Sequence, residues 1–255
     1  MIQLVHAENL LDSFGNHAKL KEIDDQSAGL GDRWMSDKIC AIAGVGSGMG
    51  QALARTFARS GYTMALISRN PANMEPYKKQ VENEGGKATL HRADVTELET
   101  MNRVFNEITE QVGLPDVVIY NVAAMTMEKP SELTPQAIID TLPLNFFGAL
   151  HTVAAIVPKL RLRGSGVLLF TGGGFAIEPS VERTTHSVGK AALRNWVYAL
   201  YKELLPEGIH AATVTITRPI QAGTLYDPDL IAANYVKLAQ QTPGQWQWEI
   251  IHKEL

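Results

Sequence analysis

The chain of 255 residues has few of the features that mark several large classes of protein. Its single cysteine, Cys40, excludes an internal disulfide and a zinc–thiolate cluster, and it favours a reducing, cytoplasmic compartment. No apolar run reaches the roughly 18 residues that a membrane-spanning helix needs. No basic segment followed by an apolar stretch begins the chain. We therefore expect neither a secretory signal nor a membrane partner.

Strong charge of one sign is also missing. Lys and Arg number 23 and Asp and Glu 27, which gives a net charge of −4 at pH 7. A nucleic-acid-binding protein normally carries a basic patch or arm, so we expect no nucleic-acid partner. Residues 1–34 hold three basic and six acidic side chains and so most of the net charge. We predict an N-terminal extension over 1–34, flexible or the result of a misassigned start, before a domain over 35–255; the alternative is a helix packed on the domain or on a partner subunit.

From Lys38 onward, apolar strands alternate with helices. Gly61 is placed as a C-terminal helix cap, and Thr134 and Pro135 are an N-cap and a helix-opening proline. Strands are predicted over 39–43, 64–68, 88–93, 116–121, 167–171 and 210–216, and helices over 49–60, 71–84, 97–112, 143–163 and 185–205. Such alternation is typical of a parallel sheet covered on both faces. We therefore predict an α/β fold, a single Rossmann-type doubly wound parallel sheet with helices on both faces.

A glycine-rich loop, 43–50, connects the first strand to the first helix. A strand–loop–helix turn directs unpaired backbone N–H groups at an anion, and the helix N-terminus adds partial positive charge. Gly44, Gly48 and Gly50 permit the tight turn and the close approach of a pyrophosphate. This placement predicts a dinucleotide site, and the alternative is a tight turn with no ligand.

The end of the second strand indicates which dinucleotide. An acidic residue there would bind a ribose 2′-hydroxyl and repel a 2′-phosphate, but the chain has Ser68, Arg69 and Asn70. The planar fork of Arg suits a phosphate. We predict that NADP(H) is preferred over NAD(H); the alternative for Arg69 is a solvated loop cation.

The chain from Met35 onward resembles the short-chain dehydrogenase/reductase family. The glycine loop is followed, in the family's order, by Asp94-Val95, Tyr120-Asn121-Val122-Ala123, Asn145-Phe146-Phe147-Gly148, His186-Ser187-Val188-Gly189-Lys190 and Arg218-Pro219 through Thr224. Together with the loop and strand-end residues, the resemblance implies these cofactor contacts: Gly44, Ser47, Gly48, Met49, Gly50, Ser68, Arg69, Asp94, Val95, Asn121, Lys190, Pro219 and Thr224. It also implies a homodimer or homotetramer formed through the two long helices, 143–163 and 185–205.

Two positions depart from the family's catalytic residues. In the family, a Ser after the fifth strand holds the substrate carbonyl and a Tyr transfers the proton, whereas this chain has Gly173 and His186 in those places. Asn145 and Lys190 match the other two members of the tetrad. The catalytic set is therefore Asn145, His186, Lys190 and Gly173, and the chain resembles divergent members that lack the usual Tyr and Ser.

This pattern predicts an enzyme that transfers a hydride between NADP(H) and a small-molecule carbonyl or alcohol, with atypical proton transfer. We expect His186 to act as a neutral proton donor, since Lys190 nearby disfavours the imidazolium form. One alternative is a catalytically silent scaffold or sensor that binds NADP(H), and another is non-redox, isomerase-type chemistry. Since no residues fall at metal-ligand spacing, no metal is expected. Loops around 124–130, 175–184 and 221–229 are expected to line the substrate pocket.

Overall fold

The computed structural model describes residues 38–253, so the predicted extension over 1–34 lies outside the described residues and its boundary stays a prediction. The strands are β1 Lys38–Ala43, β2 Tyr62–Ser68, β3 Ala88–Arg92, β4 Val117–Tyr120, β5 Gly166–Gly173, β6 Ile209–Ile216 and β7 Glu249–His252. The helices are α1 Met49–Arg59, α2 Glu75–Asn83, α3 Leu98–Gln111, α4 Pro135–Leu142, α5 Gly148–Arg163, α6 Thr184–Leu204 and α7 Pro228–Ala239. A π-helical segment, Pro143–Phe147, joins α4 to α5.

The strands form one sheet in the order β3-β2-β1-β4-β5-β6-β7, and all its neighbours are parallel. The chain moves outward from β1 to β3 and then returns to place β4 on the other side of β1. In such a sheet, the connections after β1 and β4 leave towards opposite faces and open a crevice at the carboxyl ends of the strands. The predicted doubly wound parallel sheet is confirmed.

The sheet separates two apolar cores. On one face, Phe105 of α3 and Ile156 of α5 are fully buried with side chains of α6. On the other face, Phe57 of α1 and Tyr235 of α7 are fully buried. Strand β6 is buried at every residue, which is why it is apolar or small almost throughout instead of alternating.

Local signals end and begin the helices where the sequence predicts. Gly61, with φ +86°, follows the last turn of α1, and Gly164, with φ +71°, ends α5. The hydroxyl of Thr134 accepts a hydrogen bond from the backbone N–H of Ala137 and so caps α4. Two starts differ from their predictions. Pro71 opens a single 3₁₀ turn, and α2 begins only at Glu75. The helix predicted over 143–163 has a π-helical segment over Pro143–Phe147, and α5 begins only at Gly148.

Helix α7 and strand β7 were not predicted. Asp227 caps α7 through the backbone N–H of Asp229, in a stretch that the sequence assigned partly to a loop. Strand β7 has only four residues, and long-range contacts hold it. Its Glu249 accepts two hydrogen bonds from Arg194 at 2.8 and 2.7 Å and a third from Thr215 at 2.6 Å.

One helical stretch, Pro135–Arg163, is long and apolar enough to cross a membrane by length and composition. It is a succession of α4, the π-helical segment and α5. Ala149, Ile156 and Leu160 on α5 are fully buried in the core that also includes α3. We therefore assign the stretch to the core of the domain.

Candidate functional site

A cleft of about 1110 Å³ lies at the carboxyl ends of β1, β4 and β5, beside the point where the strand order reverses. Most of the site residues predicted from the sequence line it: Gly44, Ser47, Met49, Gly50, Ser68, Arg69, Val95, Asn121, Gly173, His186, Lys190 and Pro219. Four predicted residues, Gly48, Asp94, Asn145 and Thr224, are not on its wall. The fold thus brings most of the predicted set into one site.

The glycine loop has packed ends and an open middle. A Cβ on Gly44, whose φ is +94°, would lie 2.7 Å from the backbone oxygen of Asn121. A Cβ on Gly50 would lie 2.8 Å from the backbone oxygen of Gly44. A Cβ on Gly46 would have nothing within 4 Å. The loop therefore presents free space to the cleft at its centre, which fits an approaching pyrophosphate.

A series of hydrogen bonds connects the glycine loop to the strands and helix behind it. The Asn121 amide donates to the backbone oxygen of Gly44 at 2.8 Å and accepts from the Thr171 hydroxyl at 2.7 Å. The Thr171 hydroxyl accepts in turn from the Tyr235 hydroxyl at 2.8 Å. Asn121 thus ties the loop to β5 and to α7, whose part in the site the sequence analysis missed.

The cleft is positively charged. Its described wall includes the basic side chains of Arg69, Arg183, Lys190 and Arg218 and no acidic side chain. Arg69 is exposed at the end of β2. The Ser68 hydroxyl is bonded to the backbone of Asn70, at 3.1 Å to both its nitrogen and its oxygen. Such a wall attracts an anionic ligand.

His186 is anchored in one orientation. Its Nδ1 lies 3.1 Å from the backbone oxygen of Ala124. Because a carbonyl oxygen only accepts, Nδ1 carries the proton. Burial and, after it, the charge of Lys190 lower the pKa of His186, while the bond to Ala124 opposes them. In the neutral ring the lone pair is then on Nε2, the nitrogen that faces position 173. The expected role of His186 as a neutral proton donor stays a prediction that this hydrogen bond does not favour.

Gly173 is the one glycine of the run Gly172–Gly174 that packing does not require. A Cβ on Gly172 would lie 2.7 Å from the Thr213 hydroxyl, and one on Gly174 would lie 2.7 Å from Thr217 Cα. A Cβ on Gly173 would meet only ordinary contacts, 3.4 Å from Lys190 Cγ and 3.8 Å from His186 Nε2. The missing side chain leaves room directly beside Nε2.

Lys190 forms the floor next to this space. Its ammonium donates to the backbone oxygen of Thr171 at 2.6 Å, and the residue is only 3% exposed. Burial lowers the pKa of Lys190 to about 8.

Asn145 does not line the cleft and acts on the site through Ala124. It is fully buried, and its side-chain oxygen accepts from the backbone N–H of Ala124 at 2.8 Å. Asn145 and His186 therefore hold the N–H and the carbonyl of the same residue. The Asn145 amide nitrogen has no partner among the residues that the structure describes.

Two other residues that were predicted to contact the cofactor, Asp94 and Thr224, have side chains that are hydrogen-bonded within their own loops. The Asp94 carboxylate accepts from the backbone and the hydroxyl of Thr96 at 2.9 and 2.7 Å. The Thr224 hydroxyl donates to the backbone oxygen of Gln221 at 2.8 Å. The hydroxyls that neighbour His186 along α6, those of Thr184, Thr185 and Ser187, are each hydrogen-bonded elsewhere.

Three residues at the His186 end were given no individual role by the sequence analysis, although two of them belong to the loop 175–184 that was expected to line the substrate pocket. The Phe175 ring stands edge-on to His186 with 6.0 Å between the ring centres. The guanidinium carbon of Arg183 lies 6.0 Å from the centre of the Phe175 ring. Ile220 lines the same cleft. Only Arg183 had a signal in the sequence that could have identified it, because it lies three residues before His186, close to the predicted start of the helix over 185–205.

Comparisons with known proteins identify the family of the chain. The family model described as short chain dehydrogenase matches residues 38–219. An uncharacterized oxidoreductase of Staphylococcus saprophyticus is 24% identical over 217 residues, covering 81% of this chain and 93% of that protein.

Solved structures show the same fold. An alcohol dehydrogenase from the archaeon Thermococcus sibiricus, complexed with 5-hydroxy-NADP, matches with a TM-score of 0.75 and 23% identity, over 85% of this chain and 96% of that chain. An NADH-dependent reductase complexed with NAD matches with a TM-score of 0.75 and 22% identity, over 84% and 94%. At these identities the likeness concerns the fold alone. Since the family model covers well over half of the sequence, the chain belongs to the short-chain dehydrogenase family of oxidoreductases.

Proposed function

We propose that the protein is an NADP(H)-dependent oxidoreductase of small-molecule alcohols and carbonyl compounds in which His186 takes the substrate's proton. The observation that carries this proposal is the bond from His186 Nδ1 to the backbone oxygen of Ala124, which leaves a lone pair on Nε2 beside Gly173. At neutral pH this group accepts a proton and does not donate one. The favoured direction is therefore oxidation of an alcohol.

The residues of the cleft fit the cofactor. The open middle of the glycine loop at Gly46 suits the pyrophosphate. Arg69, exposed at the end of β2, is placed to bind a 2′-phosphate, and no acidic side chain on the described wall would repel one. Arg69 and the lack of an acidic side chain on the described wall support NADP(H) over NAD(H), whereas the pyrophosphate is common to both. When bound, the nicotinamide exchanges a hydride with the substrate carbon.

His186 supplies the proton transfer in this scheme. The substrate hydroxyl approaches Nε2 through the space that Gly173 leaves free, and its proton passes to that nitrogen. Ala124 and Asn145 hold the ring in position from behind. Burial and, after it, the charge of Lys190 lower the pKa of His186, so the imidazolium that forms readily releases its proton. Carbonyl reduction would require that same imidazolium at the start, and so runs better at lower pH.

Turnover tests the proposal. Wild type and His186→Phe are assayed for NADP⁺ reduction with a panel of alcohols and for NADPH oxidation with the matching ketones and aldehydes. We expect wild-type turnover and a loss of about a hundredfold or more in the variant, the usual contribution of a positioned general base. Equal turnover by both proteins would remove His186 from the reaction.

The same assay separates the two alternatives. A silent scaffold would bind NADPH and show no turnover with any compound of the panel. An isomerase would use the Nε2 lone pair to abstract a proton and would change its substrate with no net change in NADP⁺. A parallel titration with NAD(H), repeated on Arg69→Gln, tests the cofactor preference: we expect the variant to lose affinity for NADP(H) and to keep its affinity for NAD(H).

Assembly and location stay predictions. A homodimer or homotetramer through α5 and α6 is supported by exposed apolar side chains on these helices, such as Leu162, Val188 and Tyr198. The cytoplasmic location is supported by the single cysteine, which is buried and unpaired.

A further inference from the structure

We propose that the substrate carries an oxyanion group, a carboxylate or a phosphate ester, on an apolar body, and that Arg183 binds this group. The inference rests on the proposed function, because it names the substrate class of the same site. It is carried by the position of Arg183, by its lack of a carboxylate partner among residues 38–253 and by the side chains around it.

Arg183 lies at the reacting end of the cleft. It directly precedes α6, on which His186 is the third residue. Its guanidinium stands over Phe175, and Phe175 stands edge-on to His186, each at 6.0 Å between the groups. The charge of Arg183 is also among the causes that lower the pKa of His186. Arg183 and His186 therefore both flank the Phe175 ring on the wall of the same cleft.

The guanidinium of Arg183 has no carboxylate to bind in the part of the chain that the structure describes. Arg161 and Arg194, by contrast, are each paired with glutamates. The nearby carboxylate of Glu128 accepts instead from the hydroxyls of Thr126 and Thr185. A half-buried guanidinium offers a planar set of donors that matches a carboxylate or a phosphate. Arg183 offers that set to the cleft.

The cofactor does not account for Arg183. Phe175, which contacts Arg183, follows strand β5, and Arg69 follows strand β2. Strands β1 and β4 lie between these two strands in the sheet. Three strand spacings amount to about 14 Å. The glycine loop after β1 and Arg69 after β2 provide for the pyrophosphate and the 2′-phosphate. The charge of Arg183 is thus at the substrate end.

Several side chains at this end are apolar, although Thr217 and Arg218 also line the cleft here. Met125 and Ile220 line the cleft and are 54% and 42% exposed, and Phe175 is between Arg183 and His186. Exposed apolar side chains on a cleft wall gain from burial against an apolar ligand. The surroundings therefore fit a hydroxy acid with an aliphatic or aromatic side chain, or the corresponding phosphate ester of a diol.

The experiment compares charged substrates with neutral counterparts on the NADP⁺-loaded protein. The panel contains 2- and 3-hydroxy acids with apolar side chains, the methyl ester of each acid, and phosphate monoesters of short diols. The variants are Arg183→Gln and Arg183→Lys, and Arg103→Gln is the matched control, since Arg103 is exposed on α3 and outside the cleft. NADP⁺ affinity and melting temperature are measured for each protein.

We expect wild type to prefer the anionic compound over its neutral counterpart at least tenfold in kcat/KM. Arg183→Gln should lose about tenfold to a hundredfold on the anionic compound, mainly through KM, the range expected for a charged hydrogen bond. The same variant should stay within threefold of wild type on the ester. Arg183→Lys should recover part of the loss, and the Arg103 variant should match wild type. Whether the acids or the phosphate esters show the effect identifies the anion.

Two outcomes would overturn the inference and leave the proposed function standing. One is equal turnover of acids, phosphate esters and neutral compounds by wild type. The other is a loss of NADP⁺ affinity in Arg183→Gln as large as its loss of activity, because Arg183 would then serve the cofactor.

Absence of turnover with every compound would count against the proposed function. Calorimetric titration of the NADP⁺-loaded protein with 3-methyl-2-oxobutanoate then decides the inference. Binding by wild type that Arg183→Gln loses would support an anion site, and equal binding or none in both proteins would overturn it.

Discussion

The glycine loop offers a pair of substitutions with opposite expected effects. A methyl group at Gly46 meets nothing within 4 Å, and the φ of this residue is outside the left-handed region. A methyl group at Gly50 lies 2.8 Å from the backbone oxygen of Gly44 and 2.8 Å from Val45 Cα. Gly46 lies in the loop and Gly50 in the first turn of α1 that follows it, but only the substitution at Gly50 strains the free protein.

The expected magnitudes follow from these distances. Gly46→Ala should leave the free energy of unfolding unchanged or raise it by up to about 1 kcal/mol, since alanine has fewer unfolded conformations than glycine. Gly50→Ala should lower it by about 1–3 kcal/mol, because backbone atoms must shift to relieve the contact. If the space above Gly46 holds the pyrophosphate, Gly46→Ala displaces a charge-assisted hydrogen bond and should weaken NADPH binding by about tenfold to a hundredfold.

Urea unfolding of the unliganded protein and fluorescence titration with NADPH measure the two effects separately. The reasoning requires that Gly46→Ala lose affinity at full stability and that Gly50→Ala lose stability. Wild-type affinity in Gly46→Ala would show that the open middle of the loop is not where the cofactor lies. A destabilised Gly46→Ala would show that the space is not open.

Two further predictions concern Lys190 and assembly. Burial lowers the pKa of Lys190 from 10.5 to about 8. Between these pH values Lys190 is protonated in the unfolded chain and deprotonated in the folded protein. The free energy of unfolding therefore increases as the pH rises through this range. Urea unfolding from pH 8 to pH 10 should therefore show a rise in wild type relative to Lys190→Met, and parallel curves would contradict the lowered pKa. Light scattering at micromolar concentration should give the mass of a dimer or tetramer of the 27.9 kDa chain, and a monomer would refute association through α5 and α6.

Much of the fold could be predicted because its signals are local. The apolar strands, the glycine cap at Gly61 and the Thr134–Pro135 pair each act within a few residues. Strand β7 could not be predicted, since four residues carry little periodicity and Glu249 binds Arg194 and Thr215 from distant parts of the chain. The role of Tyr235 was missed for the same reason: its bond to Thr171 exists only once α7 is packed on the sheet.

The candidate site shows the same division. Motif order placed Gly173, His186 and Lys190 together, and the cleft contains all three. The protonation of His186 could not be derived from the sequence, because it depends on which backbone oxygen Nδ1 meets. That partner, Ala124, is 62 residues away in the chain.

The pH dependence of alcohol oxidation tests the central claim most directly. Because Nε2 must be unprotonated to accept the substrate's proton, kcat/KM of wild type with NADP⁺ should rise with pH through a pKa below the usual value for His and then level off. His186→Phe should lose about a hundredfold or more in kcat/KM and show no such rise. If kcat/KM of His186→Phe still rose with pH as in wild type, the assignment of His186 as the proton acceptor would be contradicted. A kcat/KM of the variant equal to that of wild type would contradict it as well.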